Sequence, residues 1–227
     1  MLQWLRKLLV LAGLSLIVAS PLFAATLPPI ESDQIVMQES GTLVFMQRNY
    51  DFADANPIYD DNGQAVALSS EYLPAGQSFD SWKNMITVQV FKGDKTMNPT
   101  EFAWALYDVV KNKTGTSVES PVVSSNGLVY LVEYQTAVLT SGDGSVAVSG
   151  KQTAATANLT KTASSRVTER SIHKIYTDKK SGNLINLIYG ERKYGKVTKA
   201  QLQQWDKQNS AVIRQLQQLT PAVGKFE

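Results

Sequence analysis

"RVTERSIHKIYTDKKSGNLINLIYGERK", residues 166–193, reads as two strands meeting at the turn Lys179-Lys180-Ser181-Gly182-Asn183. Gly and Asn between two runs rich in β-branched and aromatic residues are the chemistry that folds a chain back antiparallel, so a long hairpin is expected here. The same grammar recurs upstream. SVESPVV (117–123) and GLVYLVEYQTAVL (127–139) read as strands joined at Ser125-Asn126-Gly127, and Ser141-Gly142-Asp143-Gly144 turns the chain into SVAV.

Nearer the start, QIVMQESGTLVFMQRN suggests two short strands around Ser40-Gly41, with Thr42, Val44 and Met46 on one face and Leu43 and Phe45 on the other. YDFADANPIYDDNG (50–63) is dense in turn formers and reads as a loop, or as one arm of a hairpin across Asp61-Asn62-Gly63 if Pro57-Ile58-Tyr59 is extended. QAVALSSEYL then alternates as a strand. Pro74 and Gly76 end it, Ser78 caps a turn or two of helix in FDSWKNM, and ITVQVF resumes period two with Ile86, Val88 and Val90 on one face. Trp82 is expected to plug that junction.

Two helices stand out. Asn98 caps the first, with Pro99 at its first position and Glu101 at its third; Phe102, Ala105, Leu106, Val109 and Val110 form the buried stripe. Thr198, with Gln201 three residues on, opens the second, whose apolar positions are Leu202, Trp205, Val212, Ile213, Leu216 and Leu219, ending at Thr220-Pro221. Strands in meanders with a helix in the middle and one at the end make an α+β fold: an antiparallel β-sheet with helices packed on it.

MLQWLRK, the apolar run LLVLAGLSLIVA and then SPLFAA follow the order of a secretory signal, with cleavage near Ala24 or Ala25. An uncleaved anchor is the competing reading, since residues 8–25 are long enough to span a bilayer. The expected organisation is a signal peptide over 1–25, an extended leader over 26–34, one domain over 35–220 and a tail over 221–227. Within the domain, the small and polar stretch SGKQTAATANLTKTASS (149–165) is expected to be a flexible loop.

The chain has no cysteine, which excludes disulfides, thiolate metal sites and a cysteine nucleophile, and leaves no sulfur for a lipoprotein anchor. A secreted protein without disulfides points to a periplasmic or secreted bacterial protein. The net charge of +2 hides an asymmetry: residues 26–160 hold 7 bases against 15 acids, residues 161–227 hold 13 against 5. Such a split serves either to pack two halves together or to present a basic face. For an exported chain, an envelope protein partner or an anionic envelope polymer is expected on that face, with no nucleic acid and at most peripheral membrane contact. Its candidate residues are Arg166, Arg170, Lys174, Lys179 and Lys180.

Catalytic and metal signals are weak. His173 is the only histidine, and ERSIHKIY places it in a strand with Ser171 and Ile175 on its own face; no G-x-S-x-G elbow is present. Asp51, Asp54, Asp60, Asp61 and Asn62 fail the calcium-loop spacing, because aligning Gly63 puts Ile58 at the first ligand position and Ser69 at the twelfth. Glu71, Glu133 and Glu169 lie in expected strands and are the acids a glycan or cell-wall hydrolase would need to converge. Tyr130, Tyr134, Tyr176, Tyr189 and Tyr194, with Trp205, either line a groove or pack across strands. No enzymatic activity and no cofactor are expected. A structural subunit of an envelope-spanning complex such as a secretion system is the alternative to an accessory or binding protein.

The order of elements resembles the PsbP-like superfamily: YLPAGQSFDSW into ITVQVF, the helix NPTEFAWALYDVV, the strands near GLVYLVEYQTAVL and the closing helix VTKAQLQQWDKQNSAVIRQLQQL, together covering roughly residues 35–219. That resemblance is one of pattern and carries no functional residue over. It implies an α/β/α sandwich and a non-catalytic role in the assembly or support of a larger complex.

Overall fold

The computed structural model describes residues 42–60, 62–92, 98–140, 146–148 and 164–221. These form a sheet of ten strands with one helix on each face. The strands are β1 (Thr42–Phe45), β2 (Arg48–Tyr59), β3 (Ala65–Pro74), β4 (Asn84–Phe91), β5 (Thr116–Val118), β6 (Val122–Val123), β7 (Val129–Thr140), β8 (Val146–Val148), β9 (Ser164–Thr177) and β10 (Leu184–Tyr194). Helix α1 (Pro99–Lys111) lies between β4 and β5 in the chain, and α2 (Lys199–Gln218) follows β10.

All pairings are antiparallel, in the order β1-β2-β3-β4-β10-β9-β7-β5, with β6 and β8 also pairing with β7. The hairpin of residues 166–193 therefore occupies the middle of the sheet, Ile188 opposite His173 and Leu184 opposite Thr177.

Because successive strand residues alternate faces, each helix claims one parity. Under α2 lie Ile86, Val88 and Val90 of β4, Ile172 of β9 and Ile185, Leu187 and Tyr189 of β10, packed with Val212 and Leu216. Under α1 lie Phe91, Val129, Leu131, Ile175 and Leu184, packed with Phe102, Ala103, Leu106 and Val110. Both helices start as their sequences demand: Asn98 accepts the Glu101 N–H, and Thr198 and Gln201 complete a reciprocal capping box.

Several expectations need correction. The chain reverses at Met46-Gln47, both with positive φ (48° and 61°), so Met46 is a turn residue and not part of a strand face. Such a two-residue turn matches the twist of its flanking strands. Ser40-Gly41 lies outside the described residues. Residues 50–59 are not a loop but most of β2, bulged between Phe52 and Asp54. Among the described residues only β3 flanks β2 beyond Asp51, and Pro57 sits there, where a missing N–H donor can be spared. The hairpin across Asn62-Gly63 forms, with Asp60 accepting the N–H groups of Asn62 and Gln64.

FDSWKNM makes a single turn rather than a helix: Ser81 N–H donates to Ser78 C=O, and the two serine hydroxyls pair with each other. Trp82 nevertheless plugs the junction, 2% exposed against Leu73, Met85 and the half-buried Phe79. Residues 149–163 of the expected loop lie outside the described residues, while Ser164 and Ser165 already belong to β9.

Candidate functional site

The rows of the sheet between α1 and Trp82 are polar, and they gather four of the residues singled out above. Register places Ser69, Gln89 and Asn186 in one row, Glu71, Thr87, Ile188 and His173 in the next, then Gly190, Ser171 and Glu133, then Arg192 and Glu169. All share the face that α1 covers in part. Polar groups enclosed in a sheet call for partners within the protein; most here find them in two chains, while Ser69 Oγ and His173 Nε2 accept and donate no hydrogen bond among the described residues.

In the first, Asn186 Nδ2 donates to Gln89 Oε1 (2.8 Å), which leaves Asn186 Oδ1 for His173 Nδ1 (3.1 Å). The other ring nitrogen, Nε2, of this histidine, 2% exposed, faces Glu133 Oε1 at 3.9 Å. His173 is thus a hydrogen-bonded strand histidine.

In the second chain, Glu169 Oε2 accepts from Arg192 Nε (3.3 Å) and Nη2 (3.0 Å), and Ser171 Oγ approaches Oε1 at 3.4 Å. The Arg192 guanidinium lies 3.8 Å from the centre of the Trp82 ring. Gly190 makes this stack possible, since a Cβ there would meet Trp82 at 3.3 Å.

Burial pushes the Glu169 carboxyl up to about 7 against the opposing pull of Arg192. Burial, then the Asp54 and Glu169 carboxylates, push Glu71 up to about 7 as well. Both groups therefore bind their proton more tightly folded than unfolded, and the stability they contribute is complete below the ordinary value of 4.5 and is lost as pH rises through about 7. Lys174, pushed down to about 8 by burial, begins to titrate only at the top of this range, where it acts in the opposite sense and does not steepen the fall. The melting temperature is expected to fall between pH 5 and pH 8. Glu71→Gln should flatten that slope, recovering on the order of 2 kcal/mol at pH 8 and little at pH 5. Calorimetric melts of both proteins across the range check this, and a variant as pH-sensitive as the parent contradicts it.

Glu71, Glu133 and Glu169 thus come to one face, but Glu169 is enclosed and held by Arg192, and none of the three lines the groove described below. Asp51 and Asp54 sit in β2, Asp60 holds its turn, and Asp61 lies outside the described residues. Among the described residues no group of three or more His, Asp or Glu is placed to hold a metal, and no helix is long and apolar enough to cross a membrane.

The five candidate bases do not form one patch. Arg170 is 1% exposed and points under α2, where Nη1 donates to Trp205 C=O (2.9 Å) and Asn209 Oδ1 (3.0 Å) and Nη2 pairs with Glu191 Oε2 (2.5 Å). Lys174, 3% exposed, closes the other end of the same helix: Nζ donates to Gln217 C=O (3.2 Å) and Leu219 C=O (2.8 Å), where a cation suits the helix's negative end. These two bases are structural ties and are withdrawn from the proposed contact face. Parity is the signal that identifies them, for Arg170 and Lys174 share the strand face of the apolar Ile172. Arg166, Lys179 and Lys180 are exposed, but Arg166 and the hairpin tip stand roughly 40 Å apart along β9.

Of the aromatic candidates, Tyr130 and Tyr189 are buried, Tyr176 is partly buried and Tyr194 is exposed, its hydroxyl donating to Trp82 C=O (3.1 Å). Tyr134 is different. It stacks on Trp205, donates to Asp206 Oδ1 (2.6 Å), accepts from Asn209 Nδ2 (2.8 Å), and lines a groove of about 510 Å³ between α2 and strands β5, β7 and β9. No family model, curated protein or solved structure matches the chain.

Proposed function

We propose that the chain is an exported accessory or binding protein of a bacterial envelope, without catalytic activity, that contacts an acidic partner through its C-terminal hairpin and helix. The observation that carries this reading is the set of exposed or half-exposed bases where β10 hands over to α2. Arg166, Lys193, Lys196 and Lys199 lie there: Gly195 N–H donates to Arg166 C=O, and Lys193 Nζ lies 4.4 Å from the centre of the Trp205 ring. Arg170 and Lys174 are consumed in fixing α2 to the sheet, so the face is smaller than the raw charge split implies. A helix–sheet–helix arrangement also accords with a PsbP-like sandwich, and a supporting role in a larger assembly follows from that likeness.

A second reading, a structural subunit of an envelope-spanning complex, is favoured by Val122 and Val123, which β6 leaves 63% and 52% exposed. The two readings differ in stoichiometry. Native mass of material drawn from intact envelopes is expected to give a monomer in exchange with its partner, whereas a fixed multi-protein mass supports the subunit.

The basic face is tested with the quadruple variant Arg166→Gln, Lys193→Gln, Lys196→Gln and Lys199→Gln. Its retention on immobilised polyglutamate and its recovery of envelope partner are expected to fall roughly tenfold at low salt, where exposed charges act most strongly. Unchanged recovery removes the basic-face reading, and Lys179→Gln with Lys180→Gln serves as the distant control.

A further inference from the structure

We propose that the groove between α2 and the β5–β7–β9 side of the sheet binds a short extended zwitterion, of the size of a tripeptide with both termini free. The groove's polar groups are arranged in a line. At one end Asp206 of α2 is held over the Tyr134–Arg170 rung by the Tyr134 hydroxyl. At the other end Arg166 projects from the Val138–Arg166 rung, and among the described residues it makes no ion pair. Between them Thr136 and Thr168 form the middle rung.

The two end rungs are four residues apart, about 13 Å along the strands, and both side chains line the space between. Three extended residues span about 10 Å from ammonium to carboxylate, which fits that interval.

Each end offers the right chemistry. A carboxylate has room for about four hydrogen bonds, of which Tyr134 uses one, so Asp206 can receive an ammonium group. The Arg166 guanidinium is a planar fork suited to a carboxylate. On the floor, the Thr136 and Thr168 hydroxyls lie 3.4 Å apart, too far for a strong mutual bond, so both can serve peptide N–H and C=O groups. Val197 and Leu202 supply an apolar wall, and the volume lies within the usual range for small-ligand sites. A neutral polyol uses the hydroxyls but gains nothing from the two separated charges, and it is the outcome that competes in the test.

Arg166 belongs to both surfaces, so the two are separated by the triple variant Lys193→Gln, Lys196→Gln and Lys199→Gln, none of which lines the groove: it should weaken polyglutamate retention and leave trialanine binding unchanged. The experiment is calorimetric titration of the protein with trialanine, N-acetyl-trialanine, trialanine amide and maltotriose. Trialanine is expected to saturate the protein, and each blocked peptide to bind at least about tenfold more weakly, the factor 1.4 kcal/mol represents. Arg166→Gln should erase the penalty for amidation and keep that for acetylation, and Asp206→Asn should do the reverse. Both side chains are exposed, and circular dichroism verifies that the variants fold. Indifference to blocked termini, tighter binding of maltotriose, or no saturation with trialanine up to about 10 mM overturns the proposal.

Discussion

Replacing Arg170 by alanine is expected to remove about 3–5 kcal/mol of folding stability, because it breaks a buried ionic hub and leaves its partners stranded. The guanidinium ties three things at once: the Trp205 carbonyl and the Asn209 side chain on α2, and the Glu191 carboxylate on β10. It also lies 5.3 Å from the centre of the Trp205 ring, itself fully buried. Alanine supplies none of these contacts, opens a void beneath the helix and leaves the Glu191 carboxylate and the Asn209 amide oxygen without the cation that satisfied them. Arg170→Met fills the space without the charge and should lose less, since an apolar replacement of similar volume avoids much of the void. Urea denaturation followed by circular dichroism measures both. An alanine variant within about 1 kcal/mol of the parent contradicts the structural role given to Arg170, and a methionine variant as unstable as alanine contradicts the packing part of the explanation.

Trp82→Ala is the second large effect, about 3–5 kcal/mol by the usual cost of emptying a buried aromatic site. The ring fills the corner among Leu73, Met85 and Phe79, covers Gly190, and presents its face to Arg192. Its loss should also reach the polar rows. Arg192 holds Glu169, and burial is the main cause of the raised Glu169 carboxyl. Water admitted at residue 82 should bring that carboxyl back toward the ordinary range and shrink the pH dependence of stability. Trp82→Phe keeps an aromatic filler and should retain most of both properties. The decisive comparison is the pH slope of the alanine variant: a slope equal to the parent's separates Trp82 from the Glu169 environment and defeats the coupling.

The elements that local chemistry specifies are legible in the chain's own residues. Capping residues and apolar stripes locate both helices, because Asn98-Pro99 and Thr198 with Gln201 satisfy free helix N–H groups within a few residues of chain. Gly-Asn turns locate the β9–β10 and β6–β7 hairpins for the same reason. Where tertiary context rules, local signals mislead. Asn56-Pro57 has the composition of a turn and is strand, because among the described residues only β3 flanks it and the other side tolerates proline. Met46-Gln47 carries no turn signal and is a turn, because pairing of β1 with β2 imposes positive φ on ordinary residues.

The site divides the same way. His173, Glu71, Glu133 and Glu169 are each visible as residues, yet nothing in their spacing says that strands β3, β7 and β9 carry them to one face of the sheet. The groove around Tyr134 joins residues from 115 to 206 and has no contiguous signature.

By itself, the sequence determined the α+β class, the β9–β10 and β6–β7 hairpins, the caps that start both helices and the uneven distribution of charge, since all of these depend on residues within one or two turns of each other or on simple counting. Only the tertiary structure decided which charges reach solvent. Strand parity alone turns Arg170 and Lys174 to the same face as Ile172, and the docking of α2 over that face converts two expected contact residues into the ties that hold the helix down. The strand order then completes the division, bringing Glu71, Glu133 and Glu169 to one face of the sheet and an open polar groove to the other.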